Sequence, residues 1–437
     1  MRIEKPIYGG SFLAHVEGKA VFVPLALPRE EVRIRIVDGK RGYATAEAEE
    51  IVTASPQRVA PACPHFGACG GCQYQHATYI AQLAWKKEIL RETLERGGVY
   101  PPEDIALIAG EPWAYRNRIR LAFDANENAG YRGRRSHALI PIAECPIAAP
   151  LLLRAGLAAG VVLRESPARL RVNEISLFCD AAETALLASV TVVDTGKPGV
   201  ANRGPGNRSF EEFTQALAGR IPELKGVESL SEGAKGQPPR SVAQWGAKSL
   251  VYRAAGFDYR VDQGAFFQVN RWLVDALVER VTSHPPGTLA WDLFAGVGLF
   301  ARQLGARFAR VIAVESAPAS IAALAHNLRG TNASAVKSTT LDFLRRERAG
   351  SRSGLVVPDL IVVDPPRTGL GPETTALLAE IAAPEIVYVS CDPATLARDL
   401  RALVDSRTGP RYIIDQITLA DLFPQTFHLE TVVRLRR

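Results

Sequence analysis

From Thr288 to the end, the sequence alternates short apolar runs with helix-like segments, and this alternation restricts the fold more than any other feature. "TLAWDLF" and "RVIAVES" read as strands, "APASIAALAHNLRG" as a helix closed by glycine, and "DLIVVDPP" and "EIVYVSC" as further strands. Short apolar runs separated by helices predict a parallel, doubly wound sheet, an α/β fold. Ligands of such sheets bind outside the carboxyl ends of the strands. Asp292, Glu315, Asp364 and Cys391 all stand at predicted strand ends, so all four are expected along one rim.

The first of these ends carries a cofactor signature. In "WDLFAGVGLFARQLG", Asp292 is followed by glycines at 296 and 298 and then by a helix. Glycines there let the backbone approach a ligand at a helix N-terminus. Glu315 closes the next strand, where a carboxylate can accept both hydroxyls of a ribose. The G-x-G-x-x-G spacing of dinucleotide sites is absent, and a ligand without a pyrophosphate, such as S-adenosylmethionine, fits better. Pro365 and Pro366 after Asp364 stiffen a loop facing the reacting centre. Taken singly, Asp364 reads nearly as well as a turn cap and Cys391 as a packed thiol, but the rim location shifts Cys391 from filler to nucleophile.

A chain of 437 residues is too long for one core. Residues 1–57 read as a small β module: Val32, Ile34 and Ile36 alternate with Arg33 and Arg35, and Asp38-Gly39 marks a turn. That pattern predicts a compact barrel with a basic outer face, of a kind that carries oligonucleotides. The segment 77–97 reads as a helix with Ile80, Leu83, Leu90 and Leu94 on one face and Gly97-Gly98 as its stop. Residues 110 to about 258 mix short strands with loops, and Thr195–Ser209 reads as an exposed connection. The start, "MRIEKPIYGGSF", has no apolar core, and the aliphatic stretch 148–163 is interrupted by Arg154 and too short to span a bilayer. A cytoplasmic protein is expected. A net charge of +6 permits nucleic-acid binding without requiring it.

Three of the six cysteines, Cys63, Cys69 and Cys72, lie within ten residues in "CPHFGACGGCQ". In a chain with no export signal they read as metal ligands rather than disulfides. Cys145, followed by Pro146, is the best fourth ligand, although His65 or His76 could complete a zinc site. Spacing leaves zinc and a [4Fe–4S] cluster equally open. Cys179, in "ISLFCDAAE", reads as a core thiol.

Nearly end to end, the chain resembles the RNA uracil-5-methyltransferase family, in the branch with a TRAM-type barrel and an iron–sulfur cluster. The match is carried by "YGGSFLAHVEGKAVFVPLALPRE", "CPHFGACGGCQYQH", "ECPI", "YRNRIRLAF", "FFQVN", "DLFAGVG", "DPPRTGL", "SCDPATLARDL" and "DLFPQTFHLETVV", and it is weak over about 150–255. The resemblance implies three domains: a TRAM/OB-like barrel at 1–57, a central α+β iron–sulfur and RNA-binding domain at 58–258, and a Rossmann-like methyltransferase domain at 259–437. The helix from Ala77 would pack on the last of these. It further implies that Cys391 is the nucleophile and Glu430 the general base. Gln268, Phe294, Glu315, Asp342 and Asp364 would contact S-adenosylmethionine, and Cys63, Cys69, Cys72 and Cys145 would hold [4Fe–4S]. Leu299 departs from the family, where a polar residue often follows "AGVG".

The implied chemistry is covalent. A thiolate adding at carbon 6 of uracil makes carbon 5 nucleophilic enough to take a methyl group, and a base then removes the carbon 5 proton. The helix N-terminus after Pro393 is expected to lower the pKa of Cys391. Arg116, Arg118 and Arg120, with Arg132, Arg134 and Arg135, are candidate phosphate ligands. A cytosine-5-methyltransferase would place a second cysteine beside the D-P-P segment, and an adenine amino-methyltransferase an aromatic where Arg367 stands. A noncatalytic iron–sulfur RNA-binding protein would leave Cys391 and Glu430 without work. The expected partner is structured RNA, ribosomal RNA by preference and the transfer RNA T-loop as the alternative, bound by a monomer with no membrane involved.

Overall fold

The N-terminal strands pair in the order Lys5–Pro6, Ser11–Val16, Lys19–Pro24, Tyr43–Thr53, Glu31–Gly39. A bridge between Arg2 and Glu31 joins the two edges and closes the barrel. In this computed structural model, residues 1–165, 170–192, 207–231, 239–350, 357–405 and 411–437 are described. Phe12, Val21, Val23 and Val32 fill the barrel, and Tyr74 and Trp85 complete its core. Two sequence expectations are corrected here. A bulge between Ile36 and Asp38 carries Asp38-Gly39 into the strand, so the turn is made by residues 40–42 and closed by Lys40 N–H to the Tyr43 carbonyl at 2.8 Å. The outer arginines are also paired across the hairpin, Arg33 with Glu50 at 2.5 Å and Arg35 with Glu47 at 2.7 Å. The face is therefore of mixed charge rather than basic.

Tyr79–Arg96 forms the expected helix and ends at Gly97. Of its expected face, Leu90 and Leu94 are buried and Leu83 is partly so, but Ile80 is not. Ile80 is 81% exposed, while Gln82, Trp85, Lys86 and Ile89 point inward. Two polar residues occupy the buried stripe, which the apolar periodicity alone could not reveal.

The chain divides into two compact units, Met1–Pro112 with Leu341–Arg437, and Trp113–Thr340. In the second, seven strands run in the order Arg240–Gly246, Leu224–Ser231, Leu186–Val192, Val172–Cys179, Arg118–Phe123, Ala129–Arg132, Leu139–Pro141. Helices Pro150–Glu165 and Asn207–Arg220 lay Leu152, Ala155, Val162, Phe213 and Leu217 against it. The connection expected at 195–209 falls outside the described residues as far as 206, and its last three residues belong to the second helix. Three parallel strands follow in this unit: Gly287–Leu293, Phe308–Glu315 and Ala333–Lys337.

In the first unit, strands Leu360–Val363 and Glu385–Ser390 are parallel. Glu430–Arg436 then runs antiparallel to Glu385–Ser390, and Ile413–Ala420 antiparallel to Glu430–Arg436. The sheet is mixed where an all-parallel one was expected. Residues 421–429 are too few for a crossover helix, so the last two strands pair as neighbours of opposite direction. No described helix is long and apolar enough to cross a membrane.

Candidate active site

Strand register assembles the reactive groups of the first unit. Ser390 pairs with Thr431, which brings Cys391 and Glu430 to the same end of two neighbouring strands. Val363 pairs with Tyr388, so Asp364 leaves the sheet at that end too. Glu430 is only 5% exposed; Cys391 and Asp364 are half-buried. Burial pushes Asp364 up to about 7. Burial, and then the charge of Asp364, hold Glu430 well above the usual carboxylate range, against the opposing pull of Arg367.

The thiol behaves opposite to expectation. Burial, followed by the carboxylates of Glu430 and Asp364, pushes Cys391 up to about 11, and Arg367 only partly offsets this. Burial and the two carboxylates outweigh the expected effect of the helix Pro393–Val404, which Asp392 caps: its Oδ1 accepts from Ala394 at 3.0 Å and Thr395 at 2.9 Å. Cys391 is thus a protonated thiol beside two carboxyl groups of raised affinity for protons.

The same helix fixes the loop after Asp364. Thr395 donates to the carbonyl of Arg367 at 3.2 Å and Arg398 to that of Thr368 at 2.9 Å. Asp399 Oδ2 accepts from Leu370 N–H at 2.7 Å and from the Tyr388 hydroxyl at 2.8 Å. Gly369 sits at φ +73°, and a Cβ there would lie 2.4 Å from Asp399 Oδ2. Sequence reasoning passed over Thr395, Arg398 and Asp399, although all three stand in the quoted "ATLARDL".

The approach to Glu430 is held from the Tyr79–Arg96 helix. Lys86 donates to Asp421 at 2.6 Å and to the Phe423 carbonyl at 2.9 Å. Gln82 donates to Gln425 Oε1 at 2.9 Å and accepts from Gln425 N–H at 3.0 Å. These bonds satisfy buried polar groups that would otherwise be costly.

The second unit carries the glycine turn. Phe294 adopts φ +65°, a conformation that costs a non-glycine residue about 1–3 kcal/mol and that clusters at functional sites. Glu315 ties the turn down: Oε2 accepts from Gly296 N–H at 2.8 Å, and Oε1 accepts from Ser316 and Ala317, both at 2.6 Å. Asp292 is fully buried and its Oδ2 accepts from Ala301 N–H at 2.8 Å, so it fastens the strand to the next helix instead of lining the rim. Leu299 is buried, and its carbonyl accepts from the Tyr259 hydroxyl at 3.1 Å. Gln268 is buried, and its carbonyl accepts from Asn117 at 2.8 Å. Asp342, in the first unit, has a 59% exposed side chain 3.5 Å from Arg345.

Cys63, Cys69 and Cys72 lie half-exposed on a turn shaped by Phe66 N–H to the Cys63 carbonyl and Cys69 N–H to the His65 carbonyl. Their soft sulfur donors suit iron as well as zinc. Among the described residues, however, no three His, Cys, Asp or Glu side chains are gathered closely enough to hold a metal ion. Cys145 is half-exposed, with its sulfur 3.8 Å from the Tyr131 hydroxyl. Cys179 is buried as expected. Arg118 is no phosphate ligand: it stacks over Phe178 at 4.4 Å and donates to the Ala265 carbonyl at 2.8 Å. Arg120 lies 3.3 Å from Glu174.

Comparison with known proteins agrees with this geometry. The family described as tRNA (Uracil-5-)-methyltransferase matches residues 247–437, and the TRAM domain matches residues 2–48. An RNA methyltransferase of Streptomyces avermitilis is 34% identical over 98% of this chain and 95% of its own length. The 23S rRNA (uracil(1939)-C(5))-methyltransferase of Halomonas elongata is 33% identical over 96% of this chain and 85% of its own. That of an Azoarcus species is 34% identical, covering 100% and 99%. The crystal structure of Pyrococcus abyssi tRNA (uracil-54, C5)-methyltransferase in complex with S-adenosyl-L-homocysteine superposes with a TM-score of 0.74 at 22% identity, over 100% of this chain and 99% of that one, and so shares the fold. With a thiol and two proton-avid carboxyls at one sheet end and full-length relatives of this kind, the chain belongs to the RNA uracil-5-methyltransferase family, enzymes that methylate RNA from S-adenosylmethionine.

Proposed function

We propose that this enzyme forms 5-methyluridine in 23S ribosomal RNA, with Cys391 as nucleophile and Glu430 as general base. The observation that carries the reading is the shared sheet end of Cys391, Asp364 and Glu430. The target uridine leaves its stack to expose both faces of the ring. Cys391 gives its proton to the Asp364 carboxylate, which leaves Glu430 unprotonated, and the thiolate adds to carbon 6. The ring's electrons shift to an enolate, and carbon 5 takes the methyl group as the donor's carbon–sulfur bond breaks. Glu430 then accepts the carbon 5 proton, the double bond re-forms, and the sulfur leaves carbon 6 as thiolate. The raised proton affinity of Glu430 suits it to this step.

Gln268, Phe294, Glu315, Asp342 and Asp364 are the proposed donor contacts. The strained turn at Phe294 and the carboxylate holding Gly296 support this for the glycine loop, while the exposed Asp342 has the weakest support. Cys63, Cys69, Cys72 and Cys145 are proposed to ligate a [4Fe–4S] cluster, which would brace the turn that precedes the Tyr79–Arg96 helix. Anaerobic reconstitution with iron and sulfide, followed by iron counting in each Cys→Ala variant, tests that assignment. The domains proposed remain 1–57, 58–258 and 259–437, in a monomer acting in the cytoplasm.

Ribosomal RNA is preferred because the full-length relatives from Halomonas and Azoarcus carry that activity in their names. The family description names transfer RNA, which makes the T-loop uridine the second reading. Incubating both transcripts with labelled donor, then mapping 5-methyluridine, distinguishes them. Transfer abolished by Cys391→Ala supports the nucleophile, and transfer unchanged in that variant removes it.

A further inference from the structure

Tyr8, Gly9 and Gly10 form the tip of the barrel's first hairpin, a part of the "YGGSF" motif to which the methyl-transfer reading gives no task. The Tyr8 hydroxyl donates to Asp392 Oδ2 at 3.3 Å, while Oδ1 of the same carboxylate caps the helix behind it. Asp392 follows Cys391 directly in the chain. Its two oxygens are therefore divided between the helix start and the barrel, and the peptide that carries the thiol is held from both sides. We propose that Tyr8 is a positioning residue for methyl transfer, fixing the Cys391–Asp392 turn from the N-terminal barrel.

Three further observations support a built arrangement. The Tyr8 ring meets Phe427 edge-on, with centroids 5.5 Å apart at 84°, and Phe427 lies three residues before Glu430. Gly10 is at φ +83°, and a Cβ there would lie 2.7 Å from Gln73 Cγ and 3.3 Å from the Phe427 ring, so the hairpin tip seats closely only because glycine occupies it. Burial, then the charges of Asp392 and Cys391, raise the phenol's pKa, which keeps it a hydrogen-bond donor throughout the working range. The 3.3 Å bond is long for O–H···O, as positioning bonds often are before substrate is bound.

The inference rests on Cys391 being the nucleophile, so the experiment includes both. Full-length wild type, Tyr8→Phe, Asp392→Asn, the double variant and Cys391→Ala are compared in methyl transfer to a ribosomal RNA transcript. Covalent trapping on 5-fluorouridine-containing transcript is measured in parallel, because fluorine at carbon 5 blocks the last proton removal and leaves the sulfur attached. Tyr8→Phe keeps the ring against Phe427 and removes only the donor. It is expected to slow kcat and trapping together by about 10-fold, with KM for RNA and donor within about twofold and the melting temperature unchanged. The double variant is expected to be no slower than Asp392→Asn alone. Unchanged kcat in Tyr8→Phe, or losses that multiply in the double variant, would overturn the role of Tyr8 while leaving Cys391 in place. Transfer retained by Cys391→Ala would overturn both.

Discussion

Lys86 and Asp421 lie 2.6 Å apart with neither side chain exposed to solvent, joining the helix after the cysteine turn to the segment that delivers Glu430. Burial lowers the pKa of Lys86, and the Asp421 charge opposes that shift. Removing one partner leaves an uncompensated charge inside. Lys86→Met is expected to destabilise the protein by about 3–5 kcal/mol, read as a fall in the urea midpoint. Lys86→Met with Asp421→Leu is expected to recover most of that loss. Equal losses in both variants would show that the pair contributes packing rather than charge balance.

The protonated state of Cys391 has a direct chemical readout. With its pKa pushed up to about 11, the residue holds about 100-fold less thiolate near neutral pH than an ordinary thiol at 9. Alkylation of Cys391 by iodoacetamide in the ligand-free enzyme is therefore expected to be slow at pH 7.5 and to rise toward pH 11. Peptide mapping after timed quenching gives the rate at this one site. Toward pH 11, Glu430→Gln is expected to react faster than wild type, since the carboxylate charge that raises the thiol's proton affinity is gone.

The sequence made the sheet strands legible because apolar runs bounded by turns are a local signal, and "EIVYVSC" and "DLIVVDPP" fall where strands Glu385–Ser390 and Leu360–Val363 lie. Asp364 and Cys391 were legible as strand-end residues of one rim, whereas Glu430 was legible only with the family resemblance, since a lone glutamate near a chain end reads as surface charge. What stayed hidden was long-range and polar. The inward face of the Tyr79–Arg96 helix holds Gln82 and Lys86, whose partners lie more than 330 residues later. The thiol's pKa runs against the sequence expectation because a helix start following a cysteine does not show that the sulfur is part-buried beside Glu430 and Asp364. Arg118 looked like a phosphate ligand because sequence does not show that Phe178 lies under its guanidinium.

Asp364 makes stability depend on pH in a particular direction. Its pKa rises from 3.8 to about 7 on folding, so between those values the native state binds more protons than the unfolded one. Stability then falls as pH rises through this window and stays lowered above it. Asp364→Asn is expected to be more stable than wild type by about 4 kcal/mol at pH 8, with the gain nearly gone near pH 4. Urea midpoints at the two pH values check this, and methyl transfer is expected to be lost in the same variant. An equal gain at both pH values would assign the effect to something other than the carboxylate's charge.

Gly369 gives the sharpest test of whether the loop after Asp364 must be held in one shape. Its φ of +73° is a region that side-chain-bearing residues adopt at a cost of about 1–2 kcal/mol. A methyl group there would also come within 2.4 Å of Asp399 Oδ2, the oxygen that anchors Leu370 and Tyr388. The helix cannot retreat easily, because Thr395 and Arg398 bind the same loop through two more hydrogen bonds. Gly369→Ala is therefore expected to displace residues 367–370, and with them Arg367, whose charge opposes the raised proton affinity of both Cys391 and Glu430. A displacement near 1 Å at such a centre corresponds to a loss of about 100-fold in kcat. Circular dichroism and RNA affinity are expected to stay close to wild type, since the change is confined to one loop. A variant with normal kcat would mean that the loop's shape is not what holds Arg367 beside the thiol.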